Sequence, residues 1–285
     1  MQLQAIILEF AIYGILCLNS GVDASINSST QQKHLPSQNI SNGDEILGIS
    51  GGHYAEIGQF PWMAIVHQLL EEGVFMCSGS IISDRWVLTA GHCIVRSPQI
   101  FMVIFGETDK KNIRRRYYRG PGVAMWTTRA VLHPQYAEFF NDIGLLYMPR
   151  KIPFSATIQP IYMAGPRFQY VSLAGTTAVI AGWGQTENFR GESRLLKWGQ
   201  LQIISNYWCS QFLSITESNI CTAARTESDT CQGDSGAPLV INDGGYNIVV
   251  GIVSYGETDC PSSAPGVFTR ISSFTNWIAR VTNIM

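Results

Sequence analysis

An all-β fold, built as a sandwich or as barrels, is what this sequence predicts, and three observations predict it. Short runs rich in β-branched and aromatic residues recur beyond residue 60, each bounded by turn residues. Only one stretch, at the C-terminus, carries apolar residues at helical spacing. Hydrophobic residues make up 46% of the 285, enough to fill one large all-β domain or two smaller ones. Charged residues are 14%, against roughly 25% in an average soluble domain. That low share argues against a disordered chain and against a nucleic-acid binder. The formal net charge of -2 offers no global field for a polyanion. There is no heptad pattern, internal repeat or low-complexity tract.

The chain opens with an apolar run from Ala5 to Leu18, broken only by Glu9, and Val22-Asp23-Ala24 follows it. Small residues so spaced suit a signal-peptidase site, so residues 1–24 read as a cleaved signal, although its start lacks Lys and Arg. The run is too short to span about 30 Å of hydrocarbon as a helix. Cys17 leaves with that signal. Cys77, Cys93, Cys209, Cys221, Cys231 and Cys260 remain, an even set that suits a secreted disulfide framework. Two glycosylation sequons, at Asn27 and Asn39, lie before Ile49.

The strand candidates follow in order: Met63–Leu70, Arg85–Gly91, Ile100–Gly106, Thr177–Gly184, Leu201–Asn206 and Asn247–Gly256. Ile271, Phe274, Trp277, Ile278 and Val281 then recur at helical spacing, with Ser272 or Ser273 available as the cap.

Three local signals carry the chemistry. They are Leu88–Cys93 (LTAGHC), Asn141–Leu146 (NDIGLL) and Asp229–Pro238 (DTCQGDSGAP). Each alone has a bland alternative. His92 beside Cys93 suits a core residue or a metal ligand, Asp142 suits the end of a turn, and Gly233-Asp234-Ser235-Gly236 suits a loop. Together they run His, Asp, Ser with gaps of 50 and 93 residues, a combination hard to reach by accident.

On these motifs the chain resembles the trypsin-like branch of the chymotrypsin-type secreted serine endopeptidases, over roughly Ile49–Met285. The resemblance implies two six-stranded Greek-key β-barrels, approximately 49–165 and 166–285, with a C-terminal α-helix and the site in the cleft between them. It implies Ser235 as nucleophile, His92 as general base and acid, and Asp142 as the group that orients the imidazole. The backbone N–H groups of Gly233 and Ser235 would form the oxyanion hole. Asp229 would lie at the floor of the specificity pocket, with Ser254, Gly256 and Gly266 along its walls, and would favour substrates with Arg or Lys. The implied disulfides are Cys77–Cys93, Cys209–Cys221 and Cys231–Cys260; a zinc site fits none of the spacings. No cofactor and no metal are expected. Tyr255, Thr230 and Ala237 depart mildly from the common residues.

Family members are made as zymogens, which assigns residues 25–48 to a pro-segment and Ile49 to the new N-terminus, its amine pairing with Asp234. Ser50 stands where Val is more usual. Gly48 is the larger departure, since the family normally carries Arg or Lys there. Either a protease that prefers small residues, or trimming, activates the chain, or it works as a silent, protease-like binding protein. A basic stretch, Asp109–Gly120, holds Lys110, Lys111, Arg114, Arg115, Arg116 and Arg119. Relatives bind calcium in such a loop; here Glu107 is retained in cationic surroundings, so no calcium site is expected. Acidic partners or sulfated glycans suit it instead. Other expected partners are protein or peptide substrates, an activating protease and protein inhibitors, with no nucleic acid, for a secreted monomer. His34, His53, His67 and His133 read as structural or surface groups.

Overall fold

A computed structural model describes residues 52–185, 191–224, 226, 228–256 and 262–284. These residues belong to a unit running from Glu45 to Met285. Ile49, Gly48, His34, Cys260, the signal and the pro-segment lie outside the described residues.

The first sheet has seven strands in the order Val123–Thr127, Phe101–Phe105, Met63–Leu69, Val74–Ile81, Trp86–Thr89, Gly144–Tyr147 and Ala130–Leu132, all antiparallel. Its two end strands are nearly continuous in sequence, separated only by Thr128 and Arg129. Taken as one strand interrupted there, they close the sheet into a six-stranded barrel. The Thr127 hydroxyl marks the break, donating to the Tyr147 carbonyl (2.6 Å) and accepting from the Arg129 N–H (3.1 Å). Phe101, Phe105, Ile65, Leu88 and Ile104 are buried on its strands at 0–1% exposure. Such runs are buried on both faces and therefore do not alternate.

The second barrel closes directly. Lys197–Ile204, Thr177–Gly182, Pro238–Asp243, Tyr246–Tyr255, Gly266–Arg270 and Asn219–Thr222 neighbour one another in that order, and the last pairs back onto the first. Two short strands from before Gly165 join this sheet. His53–Tyr54 pairs with Lys197–Trp198, and Tyr162–Met163 runs parallel to Ile248–Val249. The sequence placed both in the first barrel; a two-residue strand has no register signal of its own, so its partner is set by tertiary packing.

The C-terminal helix spans Thr275–Thr282 and buries Trp277, Ile278 and Thr282. Ser272 and Ser273 do not cap it, contrary to expectation. Phe274 occupies the cap position without a side-chain bond, because Ile271–Ser273 already forms a 3-10 turn that feeds the helix. Asn283, in the left-handed region at φ 56°, ends it. His133 lies edge-on to Phe274 and Trp277, 5.2 and 5.0 Å between ring centres. Among the described residues, no helix is long and apolar enough to cross a membrane.

Candidate active site

Strand Trp86–Thr89 runs into the 3-10 turn Gly91–Cys93, which carries His92. Asp142 precedes strand Gly144–Tyr147, whose Gly144 sits opposite Thr89. Sheet register therefore brings His92 and Asp142 to one rim. The carboxylate grips the histidine twice: Oδ2 accepts from Nδ1 and Oδ1 from the backbone N–H, both at 2.8 Å. Ser254 Oγ donates to Oδ2 at 2.6 Å, and Thr269 Oγ1 donates to the Asp142 carbonyl at 2.7 Å. Burial alone would raise the Asp142 pKa, but the His92 bonds and charge and the Ser254 bond outweigh it and hold the pKa below its ordinary value. An ionised carboxylate can only accept, so Nδ1 carries the proton that faces Asp142, and Nε2 is the ring nitrogen left pointing away from it.

Ser235 lies in the loop before strand Pro238–Asp243 and is tied to the first barrel. Its carbonyl accepts from Ser78 N–H at 2.8 Å, and the Ser78 carbonyl accepts from Thr89 Oγ1 at 2.8 Å. Cys77, next to Ser78, is disulfide-bonded to Cys93, next to His92. The serine and histidine loops thus share anchors on the same two strands. Gly236 makes that approach workable: its φ is +80°, and a Cβ there would overlap the Ser78 carbonyl and the Thr89 hydroxyl. Gly233 has φ +94°, and its Cβ would lie 3.0 Å from the Gly184 Cα. Both positions need glycine. A cavity of about 500 Å³ opens here, walled by His67, Phe75, Met76, Glu192, Gly233 and Ser235.

Asp234 is fully buried. Its Oδ1 accepts from Gly184 N–H (2.8 Å) and its Oδ2 from Cys231 N–H (3.0 Å). Burial pushes its pKa up to about 6, against the lowering effect of those two bonds and of the Lys110 charge. Asp229 is 2% exposed; its oxygens accept from Thr230 N–H at 2.8 Å and Ser262 N–H at 2.6 Å. Gly256 and Gly266 face each other, a Cβ on the first falling 3.9 Å from the Cα of the second. A Cβ on Gly266 would sit 3.4 Å from the hydroxyl of Thr230, beside Asp229.

The Ser254 hydroxyl is turned to Asp142, so this side chain supports the acid that holds His92. Thr269 and Glu192 were missed altogether. Glu192 bonds Lys110 and lies against Gly233, a Cβ on which would meet its Oε1 at 3.4 Å. No local motif announces a partner 82 residues away.

Cys209–Cys221 is the second disulfide found, and Cys231 is also disulfide-bonded. Cys77, His92 and Cys93 converge closely enough to suggest a metal. The disulfide consumes both thiolates, which removes them as ligands. The basic loop is less free than its sequence suggests. Lys110 pairs with Glu192 at 2.8 Å and Lys111 with Asp109 at 3.2 Å, while Arg115 donates to the carbonyls of Leu70 and Glu71. Glu107 spends its carboxylate inside the loop. Oε1 accepts from the N–H groups of Thr108 and Asp109, both at 2.9 Å, and Oε2 from Tyr118 OH at 2.7 Å.

The chain as a whole is similar to known proteins. The family model described as Trypsin covers residues 49–278. Serine protease SP24D of Anopheles gambiae is 31% identical over 95% of this chain and 94% of its own. Phenoloxidase-activating factor 3 of Holotrichia diomphalia is 32% identical over 81% of this chain and 71% of its own. Coagulation factor IX of Cavia porcellus is 29% identical over 82% and 81%. A solved structure titled HL collagenase superposes with a TM-score of 0.72 at 28% identity, covering 82% of this chain and 98% of that one. The chain belongs to the trypsin family of serine proteases, and it is a serine endopeptidase.

Proposed function

We propose that the protein is a secreted, zymogen-derived endopeptidase that cuts after Arg or Lys through Ser235, His92 and Asp142. The 2.8 Å bond between His92 Nδ1 and Asp142 Oδ2 carries this reading. With Nδ1–H committed to the carboxylate, Nε2 takes the Ser235 proton as Oγ attacks the scissile carbonyl. The tetrahedral oxyanion would be met by the N–H groups of Gly233 and Ser235, each such donor being worth about 3 kcal/mol. His92 then returns the proton to the leaving amine, and water repeats the sequence on the acyl-enzyme.

Asp229 supports the basic-residue preference. A buried carboxylate beside Thr230 and the facing glycines Gly256 and Gly266 would gain more from a cationic substrate side chain than from a neutral one. Discrimination of about 10³-fold over neutral residues is expected on that footing. Asp234 supports the zymogen reading: a fully buried acid with a raised pKa is a ready partner for an amine. The exposed cations Arg114, Arg116 and Arg119 support a contact with acidic proteins or sulfated glycans. An activating protease, protein substrates and inhibitors complete the partner set.

The test is hydrolysis of a fluorogenic Arg-peptide amide and its Leu counterpart, with Ser235→Ala as control, together with N-terminal sequencing of active material. Arg cleavage that Ser235→Ala abolishes, in protein beginning at Ile49, is expected. Full cleavage by material beginning before Ile49 would overturn the activation step. Absent cleavage by correctly processed protein would favour a protease-like binding protein, the reading that Gly48 keeps open.

A further inference from the structure

The segment 108–110 is held as a rail along 194–196. Lys110 N–H donates to the Arg194 carbonyl (2.8 Å), Leu196 N–H to the Thr108 carbonyl (2.7 Å), and Arg194 Nε contacts Asp109 Oδ1 (3.1 Å). From that rail the Lys110 side chain turns inward, leaving 14% of itself exposed. Its ammonium group donates to Glu192 Oε2 at 2.8 Å and to the Trp183 carbonyl at 3.3 Å. Trp183 immediately precedes Gly184, whose N–H binds Asp234.

The other end of this contact reaches the chemistry. Glu192 is bridged to Gln185, and Ser193 N–H donates to the Gly184 carbonyl at 2.9 Å. Gln185 N–H donates to the Gln232 carbonyl at 2.6 Å. A trans peptide points its C=O and its N–H in opposite directions. Holding the Gln232 carbonyl therefore sets where the Gly233 N–H points.

We propose that Lys110 and Glu192 form a positioning pair for the oxyanion peptide, clamping Trp183–Gln185 against 192–193 so that Gln185 aims the Gly233 N–H into the cleft. This rests on the reading of Gly233 as an oxyanion donor. The 109–120 loop thereby gains a hold on the reaction centre through one inward-turned, partly buried ammonium group. The charge of Lys110 also opposes the burial that raises the Asp234 pKa, so the same group acts on both sides of the loop that carries Ser235.

The experiment compares wild type with Lys110→Met, Glu192→Gln, Lys110→Arg and the double reversal Lys110→Glu with Glu192→Lys. The secreted protein is used, with active sites counted by a fluorophosphonate. Each is assayed for kcat and KM on an Arg-peptide amide, for inhibition by an Arg-peptide aldehyde, which forms an oxyanion, and by benzamidine, which does not. Lys110→Met and Glu192→Gln should lower kcat about tenfold with KM within about twofold. Aldehyde affinity should fall in step while benzamidine affinity stays put. Lys110→Arg and the double reversal should recover most of the loss. Unchanged kcat in both single variants, or aldehyde and benzamidine weakening equally, would overturn the proposal, the second pattern meaning a generally loosened site. Wild type that neither cleaves nor is labelled would overturn the catalytic reading itself, and this one with it.

Discussion

Ser254→Ala tests how Asp142, the acid of the proposed catalytic couple, is kept ionised. Asp142 is 4% exposed, and its carboxylate accepts three hydrogen bonds, two from His92 and one from Ser254 at 2.6 Å. A hydrogen bond to a charged group contributes about 1.5–3 kcal/mol. The variant should lose about that much stability at neutral pH. The pH dependence has a definite sign. The native pKa of Asp142 is held below the ordinary 3.8, so its ionised bonds stabilise the fold above that value and are lost as pH falls through the native pKa. The gap between variant and parent should therefore be full at pH 7 and close toward pH 2. Urea unfolding, with both proteins in a Ser235→Ala background to stop self-digestion, reads it directly. With a slope of about 3 kcal/mol per molar urea the midpoint should drop by about 0.5–1 M at pH 7. Equal midpoints at pH 7, or a gap that persists undiminished at pH 2, would refute the reasoning.

Two further outcomes are expected. Gly236→Ala forces a side chain into the Ser78 carbonyl at a φ of +80°; it should cost at least about 2 kcal/mol and reduce activity more than tenfold, read by thermal melting and amide hydrolysis. His67 is 6% exposed with neither ring nitrogen bonded among the described residues, and burial, aided by the Lys110 charge, lowers its pKa to about 4. The unfolded chain takes up this proton as pH falls from 6.5 and the native state refuses it until about 4, so stability should decline across that window. His67→Leu should flatten the decline in melting temperature between pH 7 and 4.5, and an unchanged slope would assign the acid sensitivity elsewhere.

The residues proposed as a triad stand out in the sequence because they sit in contiguous runs whose neighbours do local work. Cys93 beside His92 makes the anchoring disulfide, and Gly233 and Gly236 supply the turns around Ser235. The pattern of short strands was legible for the same reason, and the closure of the first barrel was not. Val123–Thr127 and Ala130–Leu132 were not among the strand candidates; their pairings with Phe101–Phe105 and Gly144–Tyr147 bring them into the sheet. The bond of Ser254 to Asp142 was not legible, because the two lie 112 residues apart and a small hydroxyl gives no hint of direction. The cations of 110–119 were legible as charge but not as bonds. Arg115 is turned to carbonyls of Leu70 and Glu71, and Lys110 is turned inward to Glu192. Charge counts along a sequence record what a loop carries, and the fold decides how much of it reaches solvent.

The most direct measurement is the site of covalent labelling. The purified protein is treated with a fluorophosphonate, digested, and the adduct located by mass spectrometry, alongside His92→Ala. The adduct should form on Ser235 alone and be lost in His92→Ala, because the hydroxyl reacts only when an oriented imidazole takes its proton. An adduct on another serine, or labelling of Ser235 that survives His92→Ala at the parent rate, would contradict the account.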